Sequence, residues 1–234
     1  MSRKIKPVVT VNFKQEQLKI LNNIFVVDDF IPVDFCEEYR NTVLNISDTR
    51  FSPGIRYGNS NWPISEWGYT INNDGVWHKK NQMLEESKEI WEEVKYQLEE
   101  KFDVKPILND MHLNASSFGQ ETRIHQDSLN PFESGSHIFV IIFFNDDMDV
   151  YDGGDFQTYI NLEPDYQKNK DFHKSQVYQS VSPIIGRAVI ADTRMLHRGL
   201  APTRFYSGIR LSMAIKISFD DVKESFKKIG FHYV

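Results

Sequence analysis

A mainly β chain buttressed by helices at its front is the fold class this sequence predicts, and three observations predict it. Helical periodicity is confined to the first hundred or so residues. From about residue 109 the texture changes to short strand-like runs separated by Gly, Pro, Asn and Asp. Strands and helices do not alternate, which argues for a β-barrel or sandwich rather than βαβ units. At 234 residues the chain suits a single domain with one substantial core, divided into a front part over 1–108, a β core over 109–219 and a C-terminal tail over 220–234.

The elements follow in order. Residues 1–20 read as a polar arm with a short strand at Val8 to Val11. "IFVVDDFIP" (24–32) reads as a strand ending at Pro32, and "VDFCEEYRNTVL" (33–44) as a helix capped by Asp34, with Phe35, Tyr39 and Val43 on one face. Residues 45–80 mix Pro, Gly, Asn and Ser with Trp62, Trp67 and Trp77 and show no sustained period. They read as a long structured loop with short strands, of the kind that forms lids and pocket walls. "NQMLEESKEIWEEVKYQLEEKF" (81–102) is the clearest helix, with Leu84, Trp91, Val94, Leu98 and Phe102 forming its apolar stripe. Beyond Pro106 the strand-like runs are "MHLNASSF", "SHIFVIIFFND", "GDFQTYI", "GRAVIAD" and "IRLSMAIKISF". The Lys/Asp-rich stretch at 165–174 reads as a solvated loop or helix turn.

Composition narrows the function classes. A net charge of -6 and the lack of Lys/Arg clusters oppose a groove that tracks a nucleic-acid backbone. A single cysteine, Cys36, excludes an intrachain disulfide and a thiolate zinc cluster, and fits a reducing compartment. No run reaches 18 apolar residues and the start has no apolar signal region, so neither membrane spanning nor export is expected, and a cytoplasmic protein is the default.

The chemistry concentrates in "TRIHQDSLNP". Residues i and i+2 of an extended strand share a face, so His125 and Asp127 can present an imidazole and a carboxylate side by side. A third ligand is needed, and His197 in "IADTRMLHRGLAPT" is the candidate, 72 residues beyond His125. Two histidines and one carboxylate on one face leave open positions for exogenous ligands, the arrangement associated with non-haem Fe(II) oxygenases. His112 and His137 lie in strand-like runs and read as packing or hydrogen-bonding residues. Asp192 and Arg198 flank the third ligand and read as turn-fixing residues, with a role in orienting His197 as the functional alternative.

The order His-x-Asp, Tyr-x-Gly-Gly-x-Phe ("YDGGDF", 151–156), Gly-Arg-Ala-x-x-x-Asp-x-x-x-x-His-Arg (186–198) and Gly-x-Arg (208–210) resembles the 2-oxoglutarate and Fe(II)-dependent oxygenases, and within them the prolyl 4-hydroxylase-like branch. "FVVDDFIPVDFCEEY" is similar to the strand and helix that precede the core in that branch. The resemblance implies a double-stranded β-helix core, jelly-roll or cupin-like, with Fe(II) held by His125, Asp127 and His197. It implies that Arg210, opening the last core strand, binds the distal carboxylate of 2-oxoglutarate as a bidentate fork. Arg204 is the second candidate for that role. Many family members carry a tyrosine in the strand before His-x-Asp. Here "MHLNASSFG" has none, and Asn114, Ser116 or Tyr159 is the expected stand-in.

The same resemblance implies O2 as cosubstrate, ascorbate as a candidate stimulant, and hydroxylation of an unactivated C–H bond with succinate and CO2 as co-products. A halogenating relative needs the carboxylate position vacant, so Asp127 argues for hydroxylation. The expected substrate is a small molecule such as a free amino acid or metabolite, with a proline-containing peptide second and nucleic-acid demethylation least favoured. The loop 51–69, with Arg56, Tyr57, Trp62 and Trp67, is the expected pocket wall. Two alternatives stand beside this reading: a β-helix binding module without catalysis, and a cupin-like dioxygenase or isomerase, which would bring more histidine ligands and not require Arg210.

Overall fold

The computed structural model describes residues 15–45, 52–53, 67–73, 75–77, 84–128, 135–161 and 175–233. The expected strand at Val8 to Val11, most of the expected pocket wall, including Arg56, Tyr57 and Trp62, and the 165–174 stretch lie outside the described residues.

Three helices and two strands open the described chain: α1 (Gln15–Leu21), β1 (Ile24–Val27), α2 (Val33–Asn45), β2 (Ser52–Pro53) and, further on, α3 (Leu84–Phe102). β1 is shorter than the apolar run suggests. Asp29 takes a left-handed conformation with φ 50, and Phe30 and Ile31 turn their amides onto the Gly186 carbonyl instead of continuing the ladder. Asp34 sits inside the first turn of α2 rather than capping it. The buried stripe of α2 is Cys36, Tyr39 and Val43, close to the predicted one, and burial pushes the Cys36 thiol up to about 12. α3 buries Ile90, Trp91, Val94 and Leu98.

The strands that follow are β3 (Trp67–Asn73), β4 (Val76–Trp77), β5 (Ile107–Ser116), β6 (Ile138–Phe143), β7 (Phe156–Asn161), β8 (Ser175–Val181), β9 (Ala188–Asp192), β10 (Leu196–Gly199) and β11 (Arg210–Ser218). They form two antiparallel sheets. The larger runs β1-β9-β6-β11-β5-β3-β2, with β4 paired to β3, and the smaller runs β10-β7-β8. All of the interstrand pairs are antiparallel, and β11 lies at the centre of the large sheet. Two stacked antiparallel sheets with helices on one outer face are the jelly-roll architecture expected from the sequence.

Alternation along the strands separates the two faces of the large sheet. Ile138, Val140 and Ile142 of β6, Ala188 and Ile190 of β9, and Leu211, Met213, Ile215 and Ile217 of β11 pack outward in one core with α2 and α3. Their neighbours Phe139 and Phe143 of β6 and Val189 and Ala191 of β9 point inward and meet Phe156 and Val181 of the small sheet. The segment expected as a tail contains a further helix, α4 (Val222–Ile229). Asp221 caps its start by accepting from the Glu224 amide, and Gly230 ends it at φ 87. Phe226 and Ile229 anchor it in the outer core.

Candidate metal centre

Each member of the cluster is placed by a different local device. His125 and Asp127 do not lie in a regular strand, as the sequence suggested. They occupy an extended segment joined to β10 by one bridge, His125 to His197, in which each backbone amide donates to the other's carbonyl at 3.0 and 2.9 Å. The amides of Asp127 and Ser128 then donate to the Thr193 carbonyl. His197 is carried by β10, a strand of its own rather than an extension of β9.

The turn between β9 and β10 is fixed by a buried ion pair. Arg194 donates to Asp192 from its backbone amide, from Nε at 2.9 Å and from Nη2 at 2.6 Å. Asn23 donates to Oδ2 of the same carboxylate at 3.0 Å, the oxygen that Arg194 Nη2 also reaches. Gln126 in turn donates to the Arg194 carbonyl. Asp192 therefore fixes the turn as expected, but through Arg194. Arg198 points the other way, to Glu121 and to the Tyr159 hydroxyl.

The result is one donor cluster. His125, Asp127 and His197 offer ligand atoms that all lie within 4.8 Å of one another. His125 Nε2 is 4.0 Å from Asp127 Oδ1 and His197 Nε2 is 3.8 Å from Asp127 Oδ2. Both imidazoles are oriented from behind: Nδ1 of His125 faces the Arg123 carbonyl at 2.8 Å and Nδ1 of His197 faces the Met195 carbonyl at 2.9 Å. A carbonyl only accepts, so Nδ1 carries the proton in each ring and the Nε2 lone pairs are left for a metal. Two neutral imidazoles and a carboxylate, without thiolate, suit Fe(II) and other first-row divalent ions.

Electrostatics keep His197 and Asp127 in their ligating forms. Burial lowers the His197 pKa to about 4, with His125 adding to the shift, so the ring is neutral at physiological pH. Burial alone would raise the Asp127 carboxyl, but His197, Lys216 and His125 outweigh it and hold it below the usual carboxylate range. Phe139 and Phe156 enclose the His197 ring at centroid distances of 4.6 and 5.5 Å.

Arg210 lies in the same interior, further along β11. It is 4% exposed, its guanidinium stands 5.4 Å over the Phe143 ring, Nε donates to the Gly154 carbonyl at 2.6 Å and Nη1 to the Ser212 hydroxyl at 3.0 Å. Gly154, at φ 77, belongs to the "YDGGDF" turn, and a Cβ there would come within 2.9 Å of Arg210 Cδ. Only glycine lets this turn close over the arginine. Asn114, directly across from Ser212, is half-buried on the same inner face.

Two hydroxyls test whether a polar ligand fits this interior. Ser116 Oγ, across from Arg210 on β5, and Thr158 Oγ1, across from His197 on β7, are buried with no hydrogen-bond partner among the described residues. Buried hydroxyls left unsatisfied are costly, and a carboxylate or keto oxygen between the sheets would satisfy them. The residues present therefore fit both a divalent metal and a small oxyacid.

Two expected cosubstrate residues are not brought here. Tyr159 lies on the opposite face of β7 from Phe156 and Thr158, and its hydroxyl is taken by Arg198 and Gln157. Arg204 is exposed, with its guanidinium over the exposed Phe205 ring. His137 is structural, as expected: its Nδ1 accepts from the Phe219 amide at 2.9 Å. One inward cation was missed altogether. Lys216 Nζ donates to Asp127 Oδ1 at 2.6 Å, and its even spacing from Arg210 along β11 was the signal that could have found it.

No protein-family model matches the sequence, and no curated protein is similar to it at the sequence level. Solved structures are similar. A prolyl hydroxylase from Trichoplax adhaerens, in complex with a hypoxia inducible factor peptide fragment, superposes with a TM-score of 0.61 at 15% identity, over 92% of this chain and 91% of that one. The α-ketoglutarate-dependent epimerase SnoN from nogalamycin biosynthesis gives 0.60 at 12% identity, over 89% and 87%. A Pseudomonas putida prolyl-4-hydroxylase gives 0.52 at 13%, over 88% and 100%. With the double-sheet core, the His-Asp-His cluster and these likenesses together, the chain has the fold of the 2OG-Fe(II) oxygenases, with prolyl hydroxylases among its structural neighbours.

Proposed function

We propose that the protein is an Fe(II)- and 2-oxoglutarate-dependent dioxygenase that hydroxylates an unactivated C–H bond of a small molecule such as a free amino acid or metabolite. The observation that carries this reading is the convergence of two backbone-oriented Nε2 lone pairs on the Asp127 carboxylate inside the barrel. Bound Fe(II) and 2-oxoglutarate supply O2 activation and hydroxylation, with succinate and CO2 as co-products.

The chain's own residues do the rest. His125, Asp127 and His197 would hold the metal, with His197 neutral and Asp127 ionised before it binds. Arg210 binds the distal carboxylate of the cosubstrate as a fork already held by Gly154 and Ser212, so little side-chain freedom is lost on binding. The Ser116 and Thr158 hydroxyls, with Asn114 two residues from Ser116 along β5, supply further polar contacts to it. Phe139, Phe143 and Phe156 exclude water around the metal and strengthen each polar contact there. Asp127 fills the position a halide would need, which favours hydroxylation.

A peptidyl substrate is the second reading, favoured by the Trichoplax neighbour's complex with a peptide fragment. Among the described residues no helix is long and apolar enough to cross a membrane. The deciding experiment measures succinate release from 2-oxoglutarate, with Fe(II) and with or without ascorbate, against amino acids, small metabolites and proline-containing peptides. Stimulation by a small molecule supports the first reading and stimulation by peptides alone the second. Stimulation by no compound, with no uncoupled succinate release, favours a non-catalytic binding module.

A further inference from the structure

We propose that Asn23 is a positioning residue for the metal ligands and that the backbone of His232 completes its hold, so that the C-terminal segment is part of the metal centre's support. This rests on His125, Asp127 and His197 being the metal ligands. The turn between β9 and β10 organises all three through successive carbonyls. Thr193 accepts from the Asp127 amide at 3.0 Å. Arg194 accepts from the side chain of Gln126, which lies between His125 and Asp127, and Met195 faces Nδ1 of His197 at 2.9 Å. A shift of this turn therefore disturbs the whole ligand set at once.

Two ties hold the turn in place. On one side the Thr193 hydroxyl and amide donate to the carbonyls of Ser136 and His137. On the other stands Asn23, fully buried between α1 and β1. Its backbone carbonyl accepts from the Asp192 amide at 3.1 Å, and its Nδ2 donates to Asp192 Oδ2 at 3.0 Å. The same Nδ2 donates to the His232 carbonyl at 2.9 Å, and Oδ1 accepts from the His232 amide at 2.6 Å. Both N–H groups and the oxygen of the side-chain amide are thus engaged. His232 is brought to this point by its neighbour: Phe231 stacks on Phe25 of β1 with centroids 5.4 Å apart, and its amide donates to the Phe226 carbonyl at 2.7 Å. The His232 side chain is exposed, so its backbone makes the connection. An apolar side chain of the same shape at position 23 would fill the volume and still lose the clamp.

The test measures Mn(II) affinity of the full chain by isothermal titration and the visible spectrum of the Co(II)-loaded protein, which reports ligand geometry, both well below each variant's melting temperature. Asn23→Leu should weaken Mn(II) binding roughly 10-fold, the lower end of what the direct partners of metal ligands are worth, and shift the Co(II) bands. His232→Pro removes the backbone donor and should weaken binding roughly 2- to 10-fold, the worth of one hydrogen bond. His232→Ala keeps the backbone and should match the wild type in both readouts. Ile215→Ala, destabilised on the outer face, should match it as well, which separates positioning from stability. Wild-type affinity and spectrum in folded Asn23→Leu, equal behaviour of His232→Pro and His232→Ala, or the Asn23→Leu changes reproduced by Ile215→Ala would overturn the assignment. If Asn23→Leu does not fold, the two His232 variants decide. Failure of the ligand assignment itself shows separately, as a wild type that binds Mn(II) no better than Asp127→Ala.

Discussion

Along β11, Leu211, Met213, Ile215 and Ile217 face the helices and are 1% exposed or less, whereas Arg210, Ser212 and Lys216 face the small sheet and each holds a specific polar partner. The outer face is satisfied by apolar volume, which many side chains could supply. The inner face carries cations, buried hydroxyls without partners among the described residues and a donor cluster, all of which cost stability unless a ligand completes them. One strand thus separates what folds the protein from what the protein would bind. Changes on the two faces should therefore fail in different assays.

The sharpest contrast is at the donor cluster. Asp127→Ala should lower affinity for Fe(II) or Mn(II) by more than about 100-fold, because even the partners of metal ligands are worth roughly 10- to 100-fold. It should leave thermal stability little changed, and isothermal titration together with a melting curve reads both. A large loss of stability with metal binding intact would reverse the assignment of faces. Asp192→Ala crosses the boundary. It strands the buried Arg194 charge, so it should cost about 3–5 kcal/mol in urea unfolding, and it should also weaken metal binding by releasing the turn that carries His197.

Ile215→Ala, on the outer face, should cost about 2–5 kcal/mol yet leave metal affinity per folded molecule unchanged. Arg210→Met should reduce 2-oxoglutarate affinity roughly 10- to 150-fold, as charged hydrogen bonds are worth about 1.5–3 kcal/mol, with metal binding preserved in the same titration. The smallest expected effect is one of pH. Burial holds His137 below its ordinary value of 6.5, against a weaker opposing pull from Asp192, and Nδ1 must stay unprotonated to accept from the Phe219 amide. Its contribution is complete above that ordinary value and is lost as pH falls through the folded value, because the unfolded chain takes up the proton first. Urea unfolding between pH 7 and 5 should show a shallower pH dependence for His137→Asn than for the wild type.

Much of this was legible in the sequence. The donor cluster was, because two histidines and a carboxylate carry their chemistry in their residue types and order. Arg210 was legible as the start of an apolar strand following a glycine. The helices were set by periodicity, and α2 and α3 bury nearly the stripes that spacing suggested. Three features were hidden because they depend on tertiary register. β10 is only four residues long and is defined by its pairing with β7, so His197 read as lying just past β9. Lys216 became visible only when β11 was seen to bring it to Asp127. The Asp192–Arg194 pair closes a turn whose shape no local pattern specifies. Alternation already sets Tyr159 apart: with Phe156 inward, Tyr159 falls on the opposite face, with its hydroxyl on Arg198 and Gln157. The 220–234 segment read as a tail because a helix of eight residues is stabilised by its caps and by docking rather than by propensity.

An anaerobic titration of the metal-free protein with Fe(II) and 2-oxoglutarate tests most directly whether the inner face is a built metal and cosubstrate site. A weak visible charge-transfer band should grow in with one equivalent of each, persist in Ile215→Ala and vanish in Asp127→Ala. A folded wild-type protein that binds Fe(II) no better than Asp127→Ala and shows no band would contradict the account.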